Sequence, residues 1–304
     1  MTRLIRLLLT LTGLTLCVSP VAAYDLPAVN LGFTSFLDGG PPAGPGHYLT
    51  EYVQYYTADK LRGNAPPGAQ VDVTVAMTQY VYQSNQPLLL GGKWGVNVML
   101  PLVSFDADVL PDNGTGFGDL LIGPFLQWDP IMGEKGPIFM HRIELQTIFP
   151  TGDYDHNKAL NQGSNHWSFN PYWAATAFLG PKVTASWRLH YLLNGKNDDP
   201  FVGTPGAPGE IKPGQAIHYN YAVAYEVLSK QLRIGVNGYG LYQFTDSRYD
   251  GVKTDAPERV AAVGPGLVWH FSQDAHLFAN AYYEYRVRNR PQGDRYNLRF
   301  VYHF

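Results

Sequence analysis

The sequence predicts an all-β protein: a transmembrane, antiparallel, up-and-down β-barrel of about twelve strands. Three observations carry that expectation. The chain opens on an export leader, long segments alternate apolar and polar side chains with a period of two, and the connections alternate long and short.

The leader comes first. Arg3 and Arg6 precede an apolar run from Leu7 to Val18, and Val21-Ala22-Ala23 supplies small residues for cleavage after Ala23. This is the layout of a secretory signal peptide, here residues 1–23, and its apolar run is too short to span a bilayer as a helix. The single cysteine, Cys17, lies inside it behind Leu16, where a lipoprotein signal needs a small residue. The mature chain therefore carries no thiol, which excludes disulfides and thiolate metal sites. Losing Arg3 and Arg6 takes two of the 22 basic residues, so the mature chain is near −5 against its 25 acidic groups. Nothing in that balance suggests nucleic acid. Aromatic residues make up 14% and charged residues only 15%, yet no apolar run reaches the length of a spanning helix. An exported, aromatic-rich chain without such helices fits a barrel in the bacterial outer membrane, where alternation averages the hydropathy out.

The strands follow from the alternation. In Gln215–Val227, Ile217, Tyr219, Tyr221, Val223, Tyr225 and Val227 oppose His218, Asn220, Ala222, Ala224 and Glu226. Similar patterns run through 182–194 and 275–288. A period of two sustained over ten or more residues is a strand signal, and tilted membrane strands need about 9–11 residues. Twelve candidates result: 48–57, 70–83, 92–104, 117–128, 137–149, 165–178, 182–194, 215–228, 231–245, 259–271, 275–288 and 294–304. In the second, the alternation slips near Gln79, which predicts a bulge. Connections after odd-numbered candidates are long, such as "PTGDYDHNKALNQGSN" and "GKNDDPFVGTPGAPGEIKPG"; those after the sixth, eighth and tenth are "LGP", "LSK" and "SQDA". Long loops thus gather at one end and short periplasmic turns at the other. The last connection, "NRPQGD", is brief for its side.

Residues 24–47 differ. "FLDGGPPAGPG" is too rich in Gly and Pro for a central strand, so this segment is expected to be a periplasmic extension or a partial plug of the lumen, with the barrel occupying 48–304. The chain ends "RYNLRFVYHF". Tyr296, Leu298, Phe300, Tyr302 and Phe304 form one face, which is expected to meet lipid while the last strand zips to the first and leaves no open edge. A terminal Phe preceded by evenly spaced aromatics resembles the C-terminal signal read by the barrel assembly machinery. That machinery, the membrane lipid and a small-molecule solute are the expected partners; no cofactor or metal is expected.

The inward parity gives the candidate lumen residues: Lys93, Asp119, Arg142, Glu144, Arg188, His190, His218, Glu226, Arg233, Glu284, Arg286 and Arg299. In a narrow barrel, facing cationic and anionic columns tune selectivity. The competing reading is that they pair across the lumen and fill it. Tyr80, Tyr82, Tyr172, Tyr239 and Tyr282 are either a hydrophobic path or girdle residues. "GTGFGD" lacks the Gly-Lys-Ser/Thr of a phosphate loop. Asp246, Asp250 and Asp255, like Asp198 and Asp199, lack calcium-loop spacing. Ser186, His190 and His218 share one parity, but nothing separates a hydrolase site from lumen lining there, and no enzyme is expected.

Several stretches in order resemble one family: "GFGDLLIGPFLQW" (116–128), "FPTGDYD" (149–155), "NHWSFNPYWAATAFLGPK" (165–182), "YLLNGKNDDP" (191–200) and "ANAYYEYRVRNRPQGDRYNLRF" (279–300). It is the family of outer-membrane transporters named for the meta-cleavage pathway of phenol degradation. The resemblance covers most of the chain from about Tyr48. It implies an outer-membrane barrel associated with uptake of aromatic or other hydrophobic compounds, and it supplies no binding-residue motif. A channel of low selectivity and a closed structural or lipid-hydrolysing barrel stand as alternatives.

Overall fold

The structure, a computed structural model, describes residues 26–41, 43–61 and 68–304; the signal peptide expected over residues 1–23 lies outside them. Twelve staves form the wall. They are β1 (Gly46–Lys60), β2 (Val71–Leu89), β3 (Gly92–Ala107), β4 (Thr115–Phe117 with Leu120–Gln127), β5 (Gly136–Glu144 with Thr147–Phe149) and β6 (Ser168–Phe169 with Tyr172–Phe178). They continue with β7 (Val183–Asn194), β8 (Ala216–Leu228), β9 (Leu232–Gln243), β10 (Arg259–His270), β11 (Ala275–Arg288) and β12 (Gln292–His303). Each pairs antiparallel with its chain neighbours, and β12 closes on β1 from Tyr48↔His303 to Lys60↔Gln292. Closure pairs every edge, which is what a sheet surrounded by hydrocarbon requires.

The alternation places side chains as the pleat demands. Along β12, Tyr296, Leu298, Phe300 and Tyr302 are exposed on the outside, and Phe304 just beyond it is exposed as well, while Asn297, Arg299 and Val301 are buried inside. β8 exposes Ile217, Tyr219, Val223, Tyr225 and Val227 and buries His218, Asn220, Ala222 and Ala224.

Three staves depart from the continuous strands expected. β4 is interrupted near the loops, at Gly118–Asp119, while β5 and β6 share a lower break at Leu145–Gln146 and Asn170–Pro171, beside Pro124 and Pro171, which bring no N–H to the ladder. The lower break is shallow. Leu145 N donates to Pro124 O (2.9 Å), Asn170 N to Gln146 O (2.8 Å) and Tyr191 N to Pro171 O (3.1 Å), so the register runs on through it.

The predicted bulge near Gln79 is absent. β2 pairs with β1 without a shift from Gly46↔Gln83 to Ala58↔Val71, and its irregularity against β3 falls later, between Gln83 and Pro87. What changes near Gln79 is the setting. Val71, Val73, Val75 and Met77 point inward with Gln79 and Val81, whereas the outward set runs from Asp72, Thr74 and Thr78 to Tyr80. The apolar side chains therefore swap faces while the parity holds.

At the long-loop end the connections pack on one another. Asn113 N donates to Leu160 O (3.0 Å), Val202 N to His156 O (2.9 Å), and Ile211–Lys212, Arg248–Tyr249 and Val252–Lys253 form a small sheet joining two loops.

Candidate channel lumen

Residues 26–41 run through the barrel interior. Their backbone is held by side chains from widely separated staves. Gly32 N donates to Asn220 Oδ1 (2.8 Å), Leu37 N to Ser186 Oγ (3.0 Å) and Gly39 N to Thr176 Oγ1 (2.9 Å); Gln54 donates to Leu31 O (3.2 Å) and Gln127 to Gly39 O (3.1 Å). A loop-like segment can lie inside because the wall satisfies its polar groups. Two glycines make the fit possible. Gly32 is left-handed (φ 83°), and a Cβ there would sit 2.7 Å from the Tyr282 ring; one on Gly39 would strike Met140 O at 2.4 Å. Phe36 and Leu31 anchor the segment in two apolar clusters, the first with Phe125, Val268 and Phe278, the second with Tyr239, Leu241 and Tyr282.

One ion pair fixes its charge. Asp38, the only acidic residue of the segment, takes two hydrogen bonds from Arg188, both at 2.7 Å, and both side chains are buried. The Arg188 guanidinium lies 4.2 Å from the centre of the Tyr172 ring.

A belt of hydrogen bonds crosses five staves at this height. Tyr52 OH donates to Gln79 (2.7 Å), Gln79 to Asn97 (2.9 Å), Asn97 to Glu144 (2.9 Å), and Tyr172 OH to the other Glu144 oxygen. A second network joins Tyr239 OH to Glu284 (2.7 Å) and Arg295 to Tyr239 OH (2.9 Å) and Gln54 (2.9 Å).

The segment and the belt separate two cavities. The larger, about 300 Å³, lies on the long-loop side. Its wall is apolar on one side, with Val71, Val73, Val75 and Met77 from β2, Met99 and Val103 from β3, Phe33 below and Phe201 from a loop, while Asp119, Lys158, Arg290 and Arg295 line other parts of it. The smaller, about 90 Å³, lies on the other side between Leu37–Pro41 and Arg142, Arg188 and Arg299.

Of the twelve lumen residues expected, most do face inward, but few are free in a pore. Lys93 pairs with Asp129 (2.6 Å), and Glu226 with Arg233 (2.6 Å), both next to short turns. Asp119 accepts from Gly152 N (3.0 Å) and Ser164 N (2.8 Å), so it pins a loop. His190 and His218 stack at 4.0 Å, with His218 Nε2 at 2.9 Å from Asn170 Oδ1. Glu144 and Glu284 are consumed by the two networks. Arg142 and Arg299 lie on the Phe125 and Phe278 rings, at 3.9 and 3.7 Å.

Arg286 is a correction. Its backbone turns left-handed (φ 54°), the register to β10 slips by one, Arg286 becomes exposed and Val287 takes the buried place. Of the tyrosines, Tyr172, Tyr239 and Tyr282 are buried inside, while Tyr80 is exposed outside. Ser186 bonds Leu37 N and Thr176 Oγ1 (3.0 Å) rather than a histidine. Among the described residues no three metal-ligating side chains gather.

Sequence reasoning missed Asp38, Tyr56, Arg295 and the apolar inner wall of β2 and β3. Arg295 shares the parity of Asn297 and Arg299 and was legible; the others needed the path of residues 26–41 and the height of the bilayer.

The fold and interior define a closed twelve-stranded transmembrane-type barrel whose own N-terminal segment crosses its lumen. The chain belongs to the family described as "Putative MetA-pathway of phenol degradation", which matches residues 56–300. Among solved structures it is similar to the COG4313 outer membrane channel from Pseudomonas putida F1, at 18% identity over 91% of this chain and 100% of that one, with a TM-score of 0.75. The CymD monoaromatic hydrocarbon channel matches at 10% identity over 93% and 94%, with a TM-score of 0.39. No curated protein matches the chain.

Proposed function

We propose that the protein is an outer-membrane channel for passive uptake of small hydrophobic or aromatic compounds, with its long loops outside and its short turns in the periplasm. The cavity of about 300 Å³ behind the loops carries this reading. An apolar inner wall lowers the free energy of an apolar solute by roughly 25 cal/mol per Å² of its buried surface. The chain's similarity to an outer membrane channel agrees in kind with this reading. Since residues 26–41 cross the lumen, passage requires them to shift, which favours a selective path over a wide pore. The exposed Tyr296–Phe304 face suits both lipid contact and recognition by the assembly machinery.

The test is flux. Proteoliposomes should pass phenol or toluene faster than protein-free vesicles and should not swell in small sugars. Failure to pass any solute sinks the proposal. Unheated protein should also migrate faster than boiled protein on a gel, as a closed barrel does.

A further inference from the structure

The inner chamber has a composition that the transport of neutral hydrophobic compounds does not call for. Arg142, Arg188 and Arg299 all line it, and each is almost fully buried. Only Arg188 has an acidic partner within ion-pair distance among the described residues, and that partner, Asp38, belongs to the crossing segment rather than to the wall. Arg142 spends its Nε on Gln127 (3.1 Å), and Arg299 Nε meets no acceptor. One wall carboxylate, Glu144, lies within electrostatic reach of Arg142 and Arg188, but its oxygens are taken by Asn97 and Tyr172. His270, also at the chamber, shares a ring-nitrogen contact with His276 (2.7 Å).

Buried guanidinium groups without counter-ions are costly, and they recognise planar carboxylates through two parallel hydrogen bonds. Asp38 already makes that bidentate contact with Arg188, so the chamber contains one carboxylate bound in the way a solute's would be. The rest of the lining, Tyr48, Val81, Phe278 and Val301, is apolar or aromatic. A volume near 90 Å³ suits a small acid's head group.

We propose that the inner chamber binds the carboxylate of a small amphipathic acid through Arg142, Arg188 and Arg299, and that this carboxylate displaces Asp38 from Arg188 and so unlatches the crossing segment. Asp38 is then a built-in competitor. The inference rests on the channel reading and adds small organic acids to its solutes.

The experiment is calorimetric titration of the full purified chain in detergent with sodium benzoate, and with benzyl alcohol as its neutral counterpart. Benzoate should bind saturably and at least about tenfold more tightly than the alcohol. Arg299→Gln should weaken benzoate about tenfold, consistent with losing a charge-assisted hydrogen bond. Asp38→Asn should tighten it several-fold. If Arg299→Gln does not yield a heat-modifiable barrel, Arg142→Gln and Asp38→Asn read the same prediction. Equal binding of acid and alcohol, or benzoate binding unchanged in the folded arginine variants, would overturn the site. Flux in proteoliposomes separates the two proposals. Neutral solutes passing without benzoate binding leaves the channel and removes the site; benzoate binding with these variant effects but no flux keeps the site and removes the channel.

Discussion

The outer ends of β2 and β3 and the lower barrel obey opposite rules. In the lower barrel, apolar side chains face outward and the interior sets polar groups beside an apolar cluster, as His218 and Asn220 stand beside Ala222 and Ala224 on β8. At the outer ends, Val71, Val73, Val75 and Met77 face inward while Asp72 and Asp106 face outward. The backbone is the same in both, with the same parity and pairing. What differs is the medium outside the wall. Where lipid lies outside, the outer face is mostly apolar, with Glu51, which accepts a hydrogen bond from Thr78 (2.9 Å), as a charged exception, and polar groups gather inside. Beyond the aromatic level of Tyr55 and Tyr296, water lies outside, and the inside is free to become an apolar chamber.

That comparison can be broken or sharpened by substitution. The largest effect belongs to the latch of the lower barrel. Arg188→Met leaves Asp38 buried without a partner, which should cost about 3–5 kcal/mol. Faster hydrogen exchange across residues 30–39 would register it, and unchanged exchange would show that the pair does not hold the segment.

Next come two lysines on the outer face. Leu298→Lys near the middle of β12 should destabilise the barrel by about 2–4 kcal/mol in urea unfolding from bilayers, whereas Asp72→Lys should cost roughly 0–1. Equal costs would mean that Asp72 lies in lipid and that the inverted zone has been misplaced.

A smaller effect should follow from Gly32→Ala, where a left-handed backbone and the Tyr282 ring oppose any Cβ. About 1–2 kcal/mol should be lost locally, read as loosening of residues 30–35. Tyr282→Ala in the same chain should restore only part of it, since the backbone strain persists.

The smallest change concerns the loops. His156 Nδ1 lies 2.8 Å from Asp199, whose hydrogen bond and charge raise the histidine's pKa above its ordinary value. A raised histidine pKa means the contact is present at low pH and is lost as pH rises through the shifted value. Asp199→Asn should bring the His156 titration, followed by NMR, back down; no movement would mean the pair is absent in solution.

Much of this was legible from residues alone. The strand count, the antiparallel order, the placement of long and short connections and the lipid face of β12 all follow from a period of two and from loop length. The charged list was only half informative. Parity puts Arg142, Arg188 and Arg299 on the face where the structure buries them, but not Arg286, where a single left-handed residue reverses every side chain beyond it. Parity could not say that Glu144 and Glu284 are absorbed into networks, because their partners come from strands up to 228 residues away in sequence, as Tyr56 is from Glu284.

The sequence by itself determined that the chain closes into a barrel, because alternation and the need to pair every backbone group in hydrocarbon are local constraints repeated along each strand. Only the tertiary structure decided what the barrel contains. The course of residues 26–41, the seating of Asp38 on Arg188 and the apolar chamber above them depend on groups brought together across the lumen. No local pattern encodes those distances, since the same alternation serves a filled barrel and an empty one.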